Sequence, residues 1–459
     1  MKGAEQSAPR DLLDKGKADV DKFFLGDRAI SSGKVAHLLT SSSFGVNAIL
    51  YAAWLGYAMG AWAILVQAAW SVSFLLFARY ANKVYHFTSL HDFLGSTFGR
   101  TTQRVGAILS IIGLLYFAGW EIAIAQSGLA ALPVSAGMLW PILIAIFIVI
   151  AILYTSFGGQ KANSEVDKWL NIVKYFLLAF VVIAAIIGAI NSVGLSAGLI
   201  FPPISSAFAV LGVLGFFTNL VFNLSWQFVD NTSWQSVSSN KKDPRRSLIL
   251  AGGGTFVAYL LSTFLGAVLR VSTSLTSDNI LAAATFGLSG ALQVVIIVAV
   301  VLLILLSMMS LIDGISLSVS QSAAIDLNFL KRFAKKPKQR MLIARILTVA
   351  AGVIAAWGVN LLISAMGGGI FDFVYILIVA QLSMIGPILV GLMAKKPPKI
   401  RIMWLALVVA VVVGIFSSAF GVASGIQWLV DGAGTLTVAV SIILAVGLYF
   451  LSKRQNINR

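Results

Sequence analysis

Four charged residues stand inside otherwise apolar stretches of this chain: Glu121, Lys174, Asp230 and Asp313. A charge at that depth costs about 2.5–3.5 kcal/mol on insertion scales, so by default it marks a pathway or a binding site. Asp313 belongs to a group. Residues 305–327 read LLSMMSLIDGISLSVSQSAAIDL, and they place Ser307, Ser310 and further hydroxyls directly after the uncharged run ALQVVIIVAVVLLI. Oxygen donors of this kind suit a hard cation. Two more stretches concentrate neutral polar groups: TSSSFGVN (Thr40–Asn47) and FTNLVFNLSWQFVDN (Phe217–Asn231). Amides both donate and accept, and an indole face stacks on a ring or attracts a cation. The inventory suits recognition better than bond making. The histidines (His37, His86, His91) flank apolar runs, no HExxH spacing occurs, and no Ser–His–acid set is expected at one depth. The absence of cysteine excludes disulfides, thiolate metal sites and Cys nucleophiles. Neither an enzyme, an organic cofactor nor a transition-metal site is expected.

The elements that must position these residues follow from hydropathy. Hydrophobic residues make up 59% of the 459, charged ones 11%, and apolar runs of membrane length recur from end to end. Each crosses a hydrocarbon core of about 30 Å as a helix of about 20 residues, with its backbone groups satisfied internally. No ten-residue blocks of alternating polarity occur, which excludes a membrane β-barrel. The expected class is an all-α polytopic membrane protein. Its twelve expected spans are residues 38–58, 61–82, 106–131, 139–158, 168–190, 208–232, 248–271, 290–325, 341–362, 371–393, 402–420 and 431–452. Residues 1–36 lack the apolar core of a signal peptide and read as a cytoplasmic tail; residues 453–459 read as a second one.

An even number of spans puts both termini on one side, and charge says which. RYANKVYH, GGQKANSEVDK, NKKDPRR, KRFAKKPKQR and AKKPPKIR all fall in even-to-odd loops, and of 33 Lys and Arg only Arg270 falls on the other side. The positive-inside rule therefore places both termini in the cytoplasm of a cell-membrane protein. The net charge of +16 invites a nucleic-acid reading, but these bases sit in short loops facing anionic lipid, so the bilayer is the expected partner.

Spans one and six, the two polar-rich ones, are five apart. Five is odd, so a second group of five is inverted relative to the first. Inverted repeats with interrupted helices and a midplane site are a transporter architecture. The bland reading is that Ser and Thr bond carbonyls one turn back while Asn223 bonds a neighbouring helix. Two such segments at corresponding positions favour the site. A channel, a transporter-like sensor and a facilitator are the other membrane classes; no repeated filter element and no attached signalling domain is read here.

Several stretches resemble the solute:sodium symporter family, whose fold is the LeuT-type 5+5 inverted repeat: DKFFLGDRAIS, FTSLHDFLGSTFGR, YTSFGGQKANSEVDKWLN, DNTSWQSVSSNKKDPRRSL, MSLIDGISLSVSQSAAIDL and IFDFVYILIVAQLSMIGPILVGLMAKK. The likeness is spread over most of residues 22–397. It implies a ten-helix core over 37–395 (repeat one 37–190, repeat two 208–395) and two additional helices over 396–452. By the same resemblance the chain is a symporter for a small organic solute, with Na+ as coupling ion. The sodium site would take carbonyls of Ser41, Phe44 and Ser307 and a hydroxyl pair on helix eight. That pair falls on Ser310 and Leu311, and Leu311 offers no oxygen. Asp167 could help hold the ion. Lys174, seven residues on and on roughly the same face, either snorkels to the interface or places its ammonium where sodium would sit, which would suit H+ coupling. Asp313 would pair with a loop base. Substrate positions implied by the resemblance are Ser43, Asn47, Gln67, Asn223, Trp226, Gln227 and Tyr375. Glu121 must be protonated, meet a protein partner, or meet a cationic group of the solute; the last favours an amino acid or amine.

Overall fold

The computed structural model describes residues 19–134, 137–192, 194–271, 275–276, 279–334, 336–359, 361, 379–394 and 400–457. Among them the regular structure is helical throughout, and eight helices are long and apolar enough to cross a membrane. Two of the eight are double-length. Leu139–Ser192 has 54 residues, about 80 Å at 1.5 Å per residue, more than twice a hydrocarbon core; it turns at Gly159, where φ is 58° and ψ −151°. Val46–Ala78 turns likewise at Gly60. The helix at Gly212–Val229 bends by 103° from the segment before it. Counting each double-length helix twice, and adding this helix and the short apolar Val379–Met393, gives the twelve expected crossings.

We label the elements around the site α1 (Ser32–Ser43), α2 (Val46–Met59), α3 (Ile64–Ala78), α4 (Leu90–Phe98), α5 (Arg100–Ala130), α6 (Leu139–Ser192), α7 (Gly212–Val229), α8 (Asn231–Ser238), α9 (Pro244–Val268), α10 (Gly290–Gln321), α11 (Pro337–Val353) and α12 (Val379–Met393). The two C-terminal helices, Trp404–Ser424 and Ala433–Ile457, pack on one another, and the latter also lies against α12. Span one is the interrupted pair α1/α2 and span six the interrupted pair α7/α8, at corresponding places in the two halves. α9 packs on α1, α2 and α3, and α10 on α5, α6 and α11.

Arg270, the base that the charge pattern sets apart from the others, has a structural reason. Arg270 Nη1 donates to the carbonyls of Tyr57 (2.7 Å) and Ala58 (2.9 Å), which lie in the last turn of α2. Lys83 does the same for α12, with Nζ 2.7 Å from Gly391 O and 3.2 Å from Leu392 O. Each satisfies helix-end carbonyls that lack intrahelical donors.

The polar tail expected up to residue 36 is shorter than that. Residues 19–25 form a short helix, and its Phe23, Phe24 and Leu25 are buried with Leu317, Ala324, Leu330 and Ala344. Gln235 Nε2 donates to Phe24 O at 3.0 Å, and Ile30 N to Ser239 O at 3.2 Å, which ties the segment to α8. The aromatic pair was the signal: two Phe and a Leu in an otherwise polar stretch need cover.

Candidate binding site

A carboxylate holds each helix break. At the first, Phe44 leaves helical geometry (φ −117°, ψ 50°), Gly45 is extended and α2 begins with unpaired N–H groups. Glu121 on α5 receives two of them: its Oε1 accepts from Val46 N and its Oε2 from Asn47 N at 3.1 Å. A Cβ at position 45 would lie 2.6 Å from Glu121 Oε1 and 2.8 Å from Leu311 Cδ1, so the approach of Glu121 requires glycine there. At the second break Asp230 ends α7 in extended geometry and caps α8, accepting from Thr232 N and Ser233 N at 3.0 Å each. Both buried acids thus face a helix N-terminus, where the backbone dipoles favour negative charge.

A cavity of about 120 Å³ lies between α2, α3, α5, α7 and α9. Four of the sequence-predicted residues line it: Ser43, Asn47, Gln67 and Asn223. Asn223 Nδ2 donates to Val66 O at 2.9 Å, and Ser43 Oγ accepts from Trp70 Nε1 at 3.0 Å. Gln67 Nε2 is buried and has no hydrogen-bond partner among the described residues. Trp226 sits beneath, its ring 5.6 Å from Trp70, 5.2 Å from Phe117 and 5.3 Å from Phe222; it borders a second space of about 10 Å³ shared with Asp230 and Leu311. Gln227 lies away from the cavity and accepts from Ser233 Oγ at 2.7 Å. Glu121 is not in the lining either, although Trp120 is. Tyr375 lies outside the described residues.

Sequence reasoning missed the aromatic half of this wall: Tyr51, Trp70, Phe117, Phe222 and Tyr259, and with them Thr218 and Asn219. A signal existed. Asn219, Phe222, Asn223 and Trp226 follow the i, i+3, i+4, i+7 spacing of one helix face, and amides and aromatics alternate along it.

The place expected for sodium, between α1 and α10, is taken by Lys174 of α6. The side chain does not snorkel; it is 0% exposed. Its Nζ lies 2.8 Å from Ser310 Oγ, 3.3 Å from Phe44 O and 3.4 Å from Ser41 Oγ, with the Phe44 ring centroid 4.9 Å away. Ser41 contributes its hydroxyl, because its carbonyl accepts from Phe44 N. Ser41 Oγ in turn donates to Asp167 Oδ1 at 2.9 Å. Ser307 is represented by its carbonyl, which accepts from Ser310 Oγ at 3.1 Å. Asp313 meets no loop base: Tyr154 OH donates to its Oδ2. Among the described residues no carboxylate forms an ion pair with Lys174.

One Ser–His–acid set does come together, contrary to expectation, because the fold joins α4 to a residue 235 positions away. Asp326 Oδ2 is 3.1 Å from His91 Nδ1, and Ser89 Oγ donates to both Asp326 oxygens at 3.0 Å. The order is wrong for a nucleophile, since the acid and not the histidine receives the serine proton, and all three side chains are buried.

No family model matches the chain, and no curated protein matches it. Solved structures do. A Na+-coupled sialic acid symporter in a substrate-bound outward-open state superposes with a TM-score of 0.72 at 15% identity, covering 95% of this chain and 94% of that one. Mhp1, a nucleobase-cation-symport-1 family transporter with bromovinylhydantoin bound in a closed conformation, gives 0.64 at 15% identity over 94% of each. Its inward-facing conformation gives 0.57 at 13% identity, over 92% of this chain and 91% of that one.

Proposed function

We propose that this chain, which has the LeuT-type inverted-repeat fold of these symporters, is a secondary active transporter that imports a small organic solute by alternating access. The observation that carries the reading is the cavity set against the break of span one and lined from span six by Thr218, Asn219, Phe222 and Asn223, so that the interrupted helices of both repeats contribute to it. The lining narrows the solute class. It offers amides and hydroxyls (Asn47, Gln67, Asn219, Asn223, Ser43, Thr218) between indole and phenyl rings and, among the described residues, no charged side chain. An amine-bearing solute would find no carboxylate there, since Glu121 is bonded to α2. A neutral ring that both donates and accepts hydrogen bonds fits this chemistry better, and the cavity's 120 Å³ is of the same order as the roughly 150 Å³ that holds one aromatic ring. The hydantoin named with Mhp1 supports the same class, and the ion coupling named for the sialic acid symporter supports an ion gradient as the driving force.

The test is uptake by the purified protein in proteoliposomes. Uracil and hydantoin are expected to be accumulated, arginine and lysine not. Accumulation of the cationic amino acids alone would return the solute to the amine class; uptake of none of a broad panel of solutes, in any imposed gradient, would sink the transport reading.

A further inference from the structure

Sodium does not fit the place that the resemblance assigns to it. A hard monovalent cation between α1 and α10 needs a shell of oxygens. One position of the expected hydroxyl pair is Leu311, 1% exposed and packed against the break; that thins the shell, and what closes it to sodium is that the remaining oxygens already have a donor in Lys174. We infer that Lys174 is the resident cation of this site: its ammonium stands where a sodium ion would be ligated, and the site binds no sodium ion.

Hydrogen-bond accounting supports the ammonium form. The Phe44 carbonyl can only accept. Ser310 has committed its proton to Ser307 O and Ser41 has committed its own to Asp167, so both hydroxyls can only accept from Nζ. Three acceptors converge on one nitrogen, and three hydrogens are what an ammonium supplies and a neutral amine does not. The face of Phe44 provides a further contact suited to a cation. A second cation within a few Å would be repelled by the ammonium, strongly where water is excluded. The lysine also does mechanically what an ion would do. Its bonds tie α6 to the break of span one and to α10, and they part whenever those helices separate. The consequence for coupling rests on the transport reading; the occupancy of the site does not.

The experiment uses thermal stability of the purified full-length protein in NaCl, KCl and choline chloride at matched ionic strength. An ion that binds only the folded state raises the melting temperature by mass action. Lys174→Ala removes the ammonium and leaves the oxygens of Ser41, Phe44 and Ser310 free. It is expected to acquire a sodium-specific rise of a few degrees beyond any sodium response of the wild type, and Ser310→Ala in that background should remove it. In the wild-type background Ser310→Ala should leave the sodium response unchanged. The inference is overturned if the wild-type protein shows a sodium-specific rise that Ser310→Ala abolishes, or if Lys174→Ala melts alike in all three salts. Should Lys174→Ala fail to fold, the comparison of wild type with Ser310→Ala still decides. Uptake is not used, so a protein that passes this test and yet moves no solute keeps its resident cation and refutes the transport reading instead.

Discussion

A carboxylate that accepts two backbone N–H groups does work that an amide cannot copy, since an amide turns an N–H2 donor toward one of them. Glu121→Gln keeps the shape and loses this match at Val46 and Asn47. We expect it to cost about 1.5–3 kcal/mol, read as a lower melting temperature, with all solutes weakened alike. A change confined to amine solutes, with melting unaltered, would show that the carboxylate serves the solute. Gln67 predicts the opposite pattern. Its Nε2 has no partner among the described residues, and removing an unsatisfied buried donor costs little. Gln67→Leu should therefore leave the melting temperature nearly unchanged and weaken solute binding about tenfold or more, measured by titration of tryptophan fluorescence. Legibility at this scale followed contrast. Ser43, Asn47, Gln67 and Asn223 came from the family resemblance, and for Ser43, Asn47 and Asn223 the polar stretches that hold them stand out among apolar residues as well. Trp70, Phe222 and Tyr259 do not stand out, because an aromatic in an apolar run reads as core. Lys174 stayed open because residue spacing places a side chain on a face and does not say whether a flexible four-carbon stem points inward or to the interface.

At the scale of elements, what distinguishes this chain from a row of straight spans is where helices stop. Both breaks left traces in the sequence, Gly45 within TSSSFGVN and Asp230 before NTSW, because a break needs a residue free of helical geometry and a group to meet the exposed N–H ends. The turn inside α6 left a weaker trace, the Gly158–Gly159 pair. Gly159 holds a positive φ, and a Cβ there would run into the carbonyl of Phe23. Gly159→Ala should cost at least about 1–2 kcal/mol from backbone strain alone and push away the segment at residues 19–25. Phe24→Ala attacks the same contact from the other side. Phe24 is fully buried, and Phe→Ala in a core costs about 3–5 kcal/mol. Limited proteolysis should then cut the chain N-terminal to α1 faster in both variants than in the wild type; equal rates would mean the segment is not held by this packing. Nothing beyond the Phe pair signalled this docking, since a short apolar cluster carries no address for its partner.

For the whole molecule, the inverted repeat and the charge distribution make one joint claim about orientation. The repeats put breaks one and six at corresponding depths, and the basic loops then place Lys83, Lys241 and the residues after α10 on the cytoplasmic side, with Arg270 opposite. Arg270 would be an exception to the charge bias were it a free surface base. It is bonded to the last carbonyls of α2, so helix capping explains it and leaves the bias intact. The absence of native cysteine makes the orientation directly testable, because any thiol is an introduced one. Ser196 and Lys241 are both exposed and lie on opposite sides in the proposed topology. A membrane-impermeant maleimide added to intact cells should label Ser196→Cys and leave Lys241→Cys unlabelled until the membrane is opened. The reverse pattern would turn the molecule over and leave nearly all of its Lys and Arg on the outer face, against the potential and the lipid charge that normally set topology. Since the cavity and the Lys174 site both sit on the break of span one, that result would also reverse which face admits the solute first, while leaving every contact inside the bundle as it is.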